Sequence, residues 1–99
     1  MEITDVQVFI VNEEKLKAYA TITLENSFLV RDLKVIKGHS GLFVAMPAKK
    51  RKDGVFRDIA HPLNQQMRDE VETKVLRAFE EAMASHDSNV ADFKSDVGS

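Results

Sequence analysis

The sequence contains no cysteine, which excludes disulfides and any Cys-based metal site and agrees with a reducing environment. It has no apolar run long enough to cross a bilayer and no charged-then-apolar leader, so the expected location is the cytoplasm, without membrane contact. Closely spaced metal-binding side chains are missing too. His39, His61 and His86 fall in a turn, near the start of a helix and in a polar tail, too scattered for a metal site on one element. His61 suits a hydrogen bond from a ring nitrogen to a nearby backbone carbonyl. Ser40 beside His39 has no orienting acid in sequence, and Gly38 with Gly41 reads as a turn rather than a phosphate-cradling loop of Walker type. Asp53 and Asp58 flank Gly54 as a turn residue and a partner for Arg57, with no pocket to make them an acid–base pair. The chain is therefore expected not to be an enzyme, with no catalytic residue, no metal and no cofactor.

An excess of one charge is also absent. Lys and Arg number 14 against 16 Asp and Glu, a formal −2, which argues against a nucleic-acid binder of the uniformly basic kind. Distribution changes that picture. Residues 1–30 hold two cations and five acids, residues 31–57 eight cations and two acids, and residues 58–99 four cations and nine acids. A focused positive region between acidic flanks steers a polyanion onto one face and repels it elsewhere. The same run also fits a merely solvated loop.

The positive region has a recognisable frame. Leu42, Phe43, Val44 and Met46 suit a strand, and Lys49, Lys50, Arg51 and Lys52 follow it. Asp53-Gly54 can supply the positive φ angles of a tight turn before Val55, Phe56 and Ile59 resume the apolar run. This predicts cations concentrated on a hairpin, with Pro47 weakening pairing at the end of the first strand.

Upstream the apolar period is two: Val6, Val8 and Ile10 in one segment, then Leu16, Ala18, Ala20, Ile22 and Leu24 in the next. Asn12-Glu13-Glu14 and Glu25-Asn26-Ser27 are short connections. The third strand, Phe28 to Ile36, changes phase. Phe28 and Val30 share one face while Leu33 and Val35 fall on the other, so a one-residue bulge near Arg31-Asp32 is predicted to restore a single apolar face.

Beyond Asp58-Ile59 the period lengthens. Leu63, Met67, Val71, Val75, Ala78, Phe79, Ala82 and Met83 form the stripe of an amphipathic helix, with Pro62 and Asn64 at its start. The helix is expected to end near Ala84, and residues 85–99 read as a disordered polar tail.

The expected fold is α+β: an antiparallel meander of about four to five strands with one C-terminal amphipathic helix packed on it, residues 1–84 forming a single domain. A chain of 99 residues with 43% hydrophobic content buries roughly two-thirds of its unfolded surface and keeps a modest stability margin. Pairing an open strand edge with a second copy would satisfy backbone groups and enlarge the core, so a homodimer is expected.

Several stretches, taken in order, carry a resemblance. They are Met1-Glu2-Ile3-Thr4-Asp5-Val6, Ala20-Thr21-Ile22-Thr23-Leu24, Val35-Ile36-Lys37-Gly38, the run Gly41 to Lys50, and Asp53-Gly54 with Phe56-Arg57-Asp58-Ile59 and His61-Pro62. Over about residues 1 to 84 the chain resembles the stage V sporulation protein G family of bacterial regulators. One departure stands out. The family usually has a Ser, a Lys-Arg pair and Thr-Pro before Asp-Gly, whereas this chain has Ala48, Lys49-Lys50 and Arg51-Lys52, which makes its loop more basic and less rigid. The resemblance implies a dimer, site-preferring DNA binding, RNA binding as well, and gene regulation tied to septation, sporulation or envelope functions.

The leading expectation is thus a nucleic-acid-binding regulator in which Lys49, Lys50, Arg51 and Lys52 contact phosphates. Arg57 joins them or anchors the hairpin through Asp58, and Arg31 and Lys34 stand second. Two such loops on a dimer would add avidity. The sequence offers no helix-turn-helix, no zinc finger and no aromatic platform, Phe43 and Phe56 being read as core residues. The alternative is a non-enzymatic protein-interaction module whose hairpin, strand edge or acidic helix docks a partner, such as a protein of the division machinery.

Overall fold

In the computed structural model, which describes the backbone of residues 1–96 and the side chains of residues 1–85, four strands form an antiparallel meander. They are β1 (Ile3–Ile10), β2 (Leu16–Leu24), β3 (Phe28–Gly38) and β4 (Gly41–Ala45), in the order β1-β2-β3-β4. β5 (Ala48–Lys50) and β6 (Phe56–Asp58) make a separate two-stranded ribbon, and α1 (Gln65–Asp96) follows. The α+β meander with one C-terminal helix is the expected architecture. Pro47 lies between β4 and β5, where it separates the ribbon from the main sheet.

Register along β3 follows from its apolar pattern. Ala20 stands opposite Leu33 and Ile22 opposite Val30, so three steps on β3 answer two on β2. The extra residue lies at Arg31–Asp32, as the phase change predicted, and Asp32 takes a left-handed φ of 67° that Asp tolerates better than most residues. Val30, Leu33 and Val35 thereby face one side. A second bulge lies at Thr4, because Ile3 pairs with Leu24 but Asp5 pairs with Thr23. It turns Ile3 onto the face of Val6 and Val8. The displaced Thr4 hydroxyl accepts the Asn26 N–H at 3.0 Å and donates to the Thr23 carbonyl at 3.3 Å. Glu25 and Asn26, both left-handed at φ 53° and 52°, form the turn that this hydroxyl ties down, with the backbone twist that suits a tight hairpin.

The core is one face of the sheet against one stripe of the helix. Ile3, Ala18, Ala20, Ile22, Leu24, Leu33, Val35 and Val44 pack with Val71, Val75 and Phe79. Each large aliphatic side chain buried there stabilises the fold by about 1.5–3 kcal/mol. No polar or charged side chain is buried among the described residues, so the core is held by apolar packing alone. Lys74 adds a tie at the rim, donating to the Ile3 carbonyl at 3.0 Å.

Two details of the helix differ from expectation. Leu63 stands outside the stripe: it precedes the first helical residue, Gln65, and is 90% exposed. Leu76, absent from the expected stripe, packs against the core instead. The helix begins where it does because the Asn64 side chain accepts the Met67 N–H at 2.8 Å, satisfying one of the free donors of the first turn. Asn64→Ala is expected to cost about 1 kcal/mol and to lower the melting temperature by roughly 4–8 °C in a thermal unfolding experiment. At the other end α1 runs to Asp96, past the end near Ala84 that the stripe suggested. The side chains from His86 onward lie outside the described residues, as does the whole of residues 97–99, the end of the expected disordered tail.

Candidate nucleic-acid interface

The ribbon is built from short-range backbone rules. Ala48 pairs with Asp58, Lys49 with Arg57 and Lys50 with Phe56, and the Ile59 N–H donates to the Pro47 carbonyl at 2.7 Å, closing its base. At the tip the Arg51 N–H donates to the Val55 carbonyl at 2.8 Å and the Gly54 N–H to the Arg51 carbonyl at 3.0 Å. Gly54 alone takes a left-handed φ, 88°, and Asp53 does not share it. Asp53 shapes the turn through its carboxylate, which accepts the Val55 N–H at 3.0 Å, a local side-chain-to-backbone bond typical of Asp in turns.

This geometry crowds like charges. Lys49 and Arg57 are direct cross-strand partners, an arrangement that is destabilising unless an anion lies between or beside them. Arg51 and Asp53 approach at 3.9 Å, the one ion pair of the ribbon among the described residues; both are well exposed, so it contributes little. Of the two roles open to Arg57, the anchor through Asp58 has no ion pair among the described residues. Neighbours in a strand point to opposite faces, and Asp58 lies across from Ala48 instead. Lys49, Lys50, Arg51, Lys52 and Arg57 line a hollow of about 690 Å³ with Asp53 and Asp58. Five cations against two carboxylates leave it positive.

The two second-rank cations part company. Arg31 sits exposed in the β3 bulge and lines neither this hollow nor its neighbour. Lys34 pairs with Tyr19 on one side and Ala45 on the other. It lines a second hollow of about 380 Å³ with Tyr19, Asp32, Pro47, Ala48 and Ile59. That hollow lies at the foot of the ribbon, since Ala48 and Ile59 adjoin Lys49 and Asp58 in the chain.

Aromatic placement overturns one expectation. Phe43 and Phe56 are 42% and 65% exposed, so neither is a core residue. The helix covers only the face that carries Val44, and Phe43 necessarily points to the other. Its ring lies over Gly38, where an added Cβ would come within 3.0 Å of it. Phe9 and Tyr19 are exposed on the same outer face, at 64% and 38%. The alternation that assigned Val8, Ile10, Ala18 and Ala20 inward also assigned these two outward, a signal present in the sequence.

His39 and His61 are exposed and far apart in the chain, and the described residues contain no group of three or more side chains able to hold a metal ion. No helix of the described residues is long and apolar enough to cross a membrane.

Fold and site together define a small α+β domain: a four-stranded meander covered on one face by a helix, with a cationic ribbon standing clear of the sheet. The SpoVG family model matches residues 1–81. The chain belongs to the SpoVG family. A relative from Bdellovibrio bacteriovorus is 58% identical over 94 residues, covering 95% of this chain and 87% of the relative. One from an Anaeromyxobacter species is 65% identical over 80 residues, covering 81% and 82%. One from Myxococcus xanthus is 62% identical over 80 residues, covering 81% of each. All three bear the name "Putative septation protein SpoVG".

Proposed function

We propose that this chain is a non-enzymatic nucleic-acid-binding regulator that acts in the cytoplasm as a homodimer and grips phosphates of DNA and RNA with the β5–β6 ribbon. The observation that carries the reading is the pairing of Lys49 with Arg57, together with Lys50, Arg51 and Lys52 around one hollow. A polyanion relieves the repulsion that the ribbon builds into itself, and binding releases the condensed counterions of the nucleic acid. The overall negative charge then becomes an advantage, because the acidic remainder turns the ligand towards the ribbon. The open edges at β1 and β4 offer backbone groups for pairing a second copy, which places two ribbons on one assembly. The relatives' name supports a role in septation, and regulation of sporulation or envelope genes is part of the same proposal.

Titrating duplex DNA and single-stranded RNA at several salt concentrations tests this. A dimer that neutralises about four phosphates per protomer should show a log–log slope near −7 on duplex DNA, and a protomer acting alone about half that. A response flat in salt would refute it. The same open edges and the septation name favour the second reading, a protein-interaction module that docks a division protein, and the absence of binding to either nucleic acid at low salt would select it.

A further inference from the structure

We propose that the outer face of the sheet is a stacking platform for the bases of a single-stranded nucleic acid, with Tyr19, Phe9 and Phe43 beneath the bases and Lys34 and the ribbon holding the phosphates. The inference rests on the phosphate-binding role of the ribbon and adds to it the class of ligand.

Register places the residues. Phe9 is directly opposite Tyr19, Tyr19 opposite Lys34, and Lys34 opposite Ala45, so one row crosses all four strands. Side chains directly opposite have Cβ atoms about 4.5–5.5 Å apart. Phe43 lies in the adjacent row, opposite Ile36. Gly38 leaves the space in which its ring rests over the sheet. Three exposed aromatic rings on an uncovered sheet face are costly to solvate and useful to a ligand with flat apolar faces. A base is such a ligand, and it offers its faces only when unpaired.

Charge selects the ligand further. Lys34 stands next to Tyr19 in the row, and the hollow they share is also lined by Ala48 and Ile59, the chain neighbours of Lys49 and Asp58 in the cationic hollow of the ribbon. Aromatic surface and positive ribbon thus adjoin at Ala48 and Ile59, and stacking surface beside a cationic groove is the combination that binds single strands with little sequence preference. Asp32, in the hollow with Lys34, provides an acceptor for the amino group of a base edge.

Tyr19 makes the test direct, because the sequence has one Tyr and no Trp. Its emission reports on the platform alone. An oligothymidylate single strand is expected to quench Tyr19, saturating together with the anisotropy of a labelled copy of the same strand. A duplex of equal length binds through the ribbon and leaves the emission unchanged. Tyr19→Ala and Phe43→Ala should each weaken single-strand binding on the order of tenfold, Tyr19→Phe should restore it, and duplex affinity should stay within about twofold throughout. Thermal melting confirms that each variant is folded.

Single-strand binding without quenching, unaffected by Phe43→Ala, would overturn the platform while continued duplex binding left the ribbon standing. Failure of the parent to bind either ligand would overturn both. A change in Tyr19 emission on dilution without nucleic acid, abolished by Phe43→Ala, would show the face covered by a second copy and overturn the platform as well.

Discussion

Replacing Lys49, Lys50, Arg51 and Lys52 together by alanine will reduce affinity for duplex DNA by at least about a hundredfold at physiological salt and bring the salt slope from about −7 towards zero. Folding should survive. All four side chains are exposed, and the turn is closed by backbone groups of Arg51, Gly54 and Val55 with the Asp53 carboxylate, none of which the substitutions delete. Removing Lys49 also removes its repulsion with Arg57, so the melting temperature should stay level or rise slightly. Electrophoretic mobility shift or anisotropy, read beside a thermal melt, decides the matter. A variant that binds like the parent would mean that the ribbon is not the phosphate site.

Leu33→Ala acts in the opposite way, by unfolding the chain without touching the ribbon. Leu33 is fully buried in β3, opposite Ala20, and it is the first inward residue after the Asp32 bulge. The cavity left by truncation costs about 2–5 kcal/mol, set against a total stability of about 5–15 kcal/mol for a domain of this kind. The melting temperature should fall by roughly 10–30 °C, while the fraction that remains folded binds nucleic acid with the parent's salt slope. Thermal and denaturant unfolding measure the first, titration at low temperature the second. A fall of less than about 4 °C would show that Leu33 is not packed as described. The two variants separate function from stability, because one changes exposed charge and the other changes buried volume.

How far the sequence carried can be judged at particular residues. The bulge at Arg31–Asp32 was legible because period-two alternation permits one face only if a residue is added where the phase slips. The Asn64 cap was legible because an amide acceptor next to an apolar stripe of helical period has one obvious use. The cation cluster needed no inference beyond reading Lys49 to Lys52. The bulge at Thr4 was hidden, since Ile3 alone on the far side of a slip makes no pattern. Leu63 was misread because it continues the helical spacing by one step while lying before the cap that starts the helix. No ion pair joins Arg57 to Asp58 among the described residues, because consecutive side chains of a strand diverge.

By itself, then, the sequence determined the order and kind of elements, the inward set of most strands, the start of the helix and the location of positive charge. Each of these depends on local spacing, capping chemistry or composition. Only the tertiary structure decided which surfaces stay uncovered and which distant residues share them. One helix can cover one face of a sheet, so Phe9, Tyr19 and Phe43 are left outside despite their hydrophobicity. Lys34 reaches the foot of the ribbon because strand register and the path of the chain after Pro47 bring residues far apart in sequence around one hollow. Such proximity is a sum over the whole fold, and no window of residues contains it.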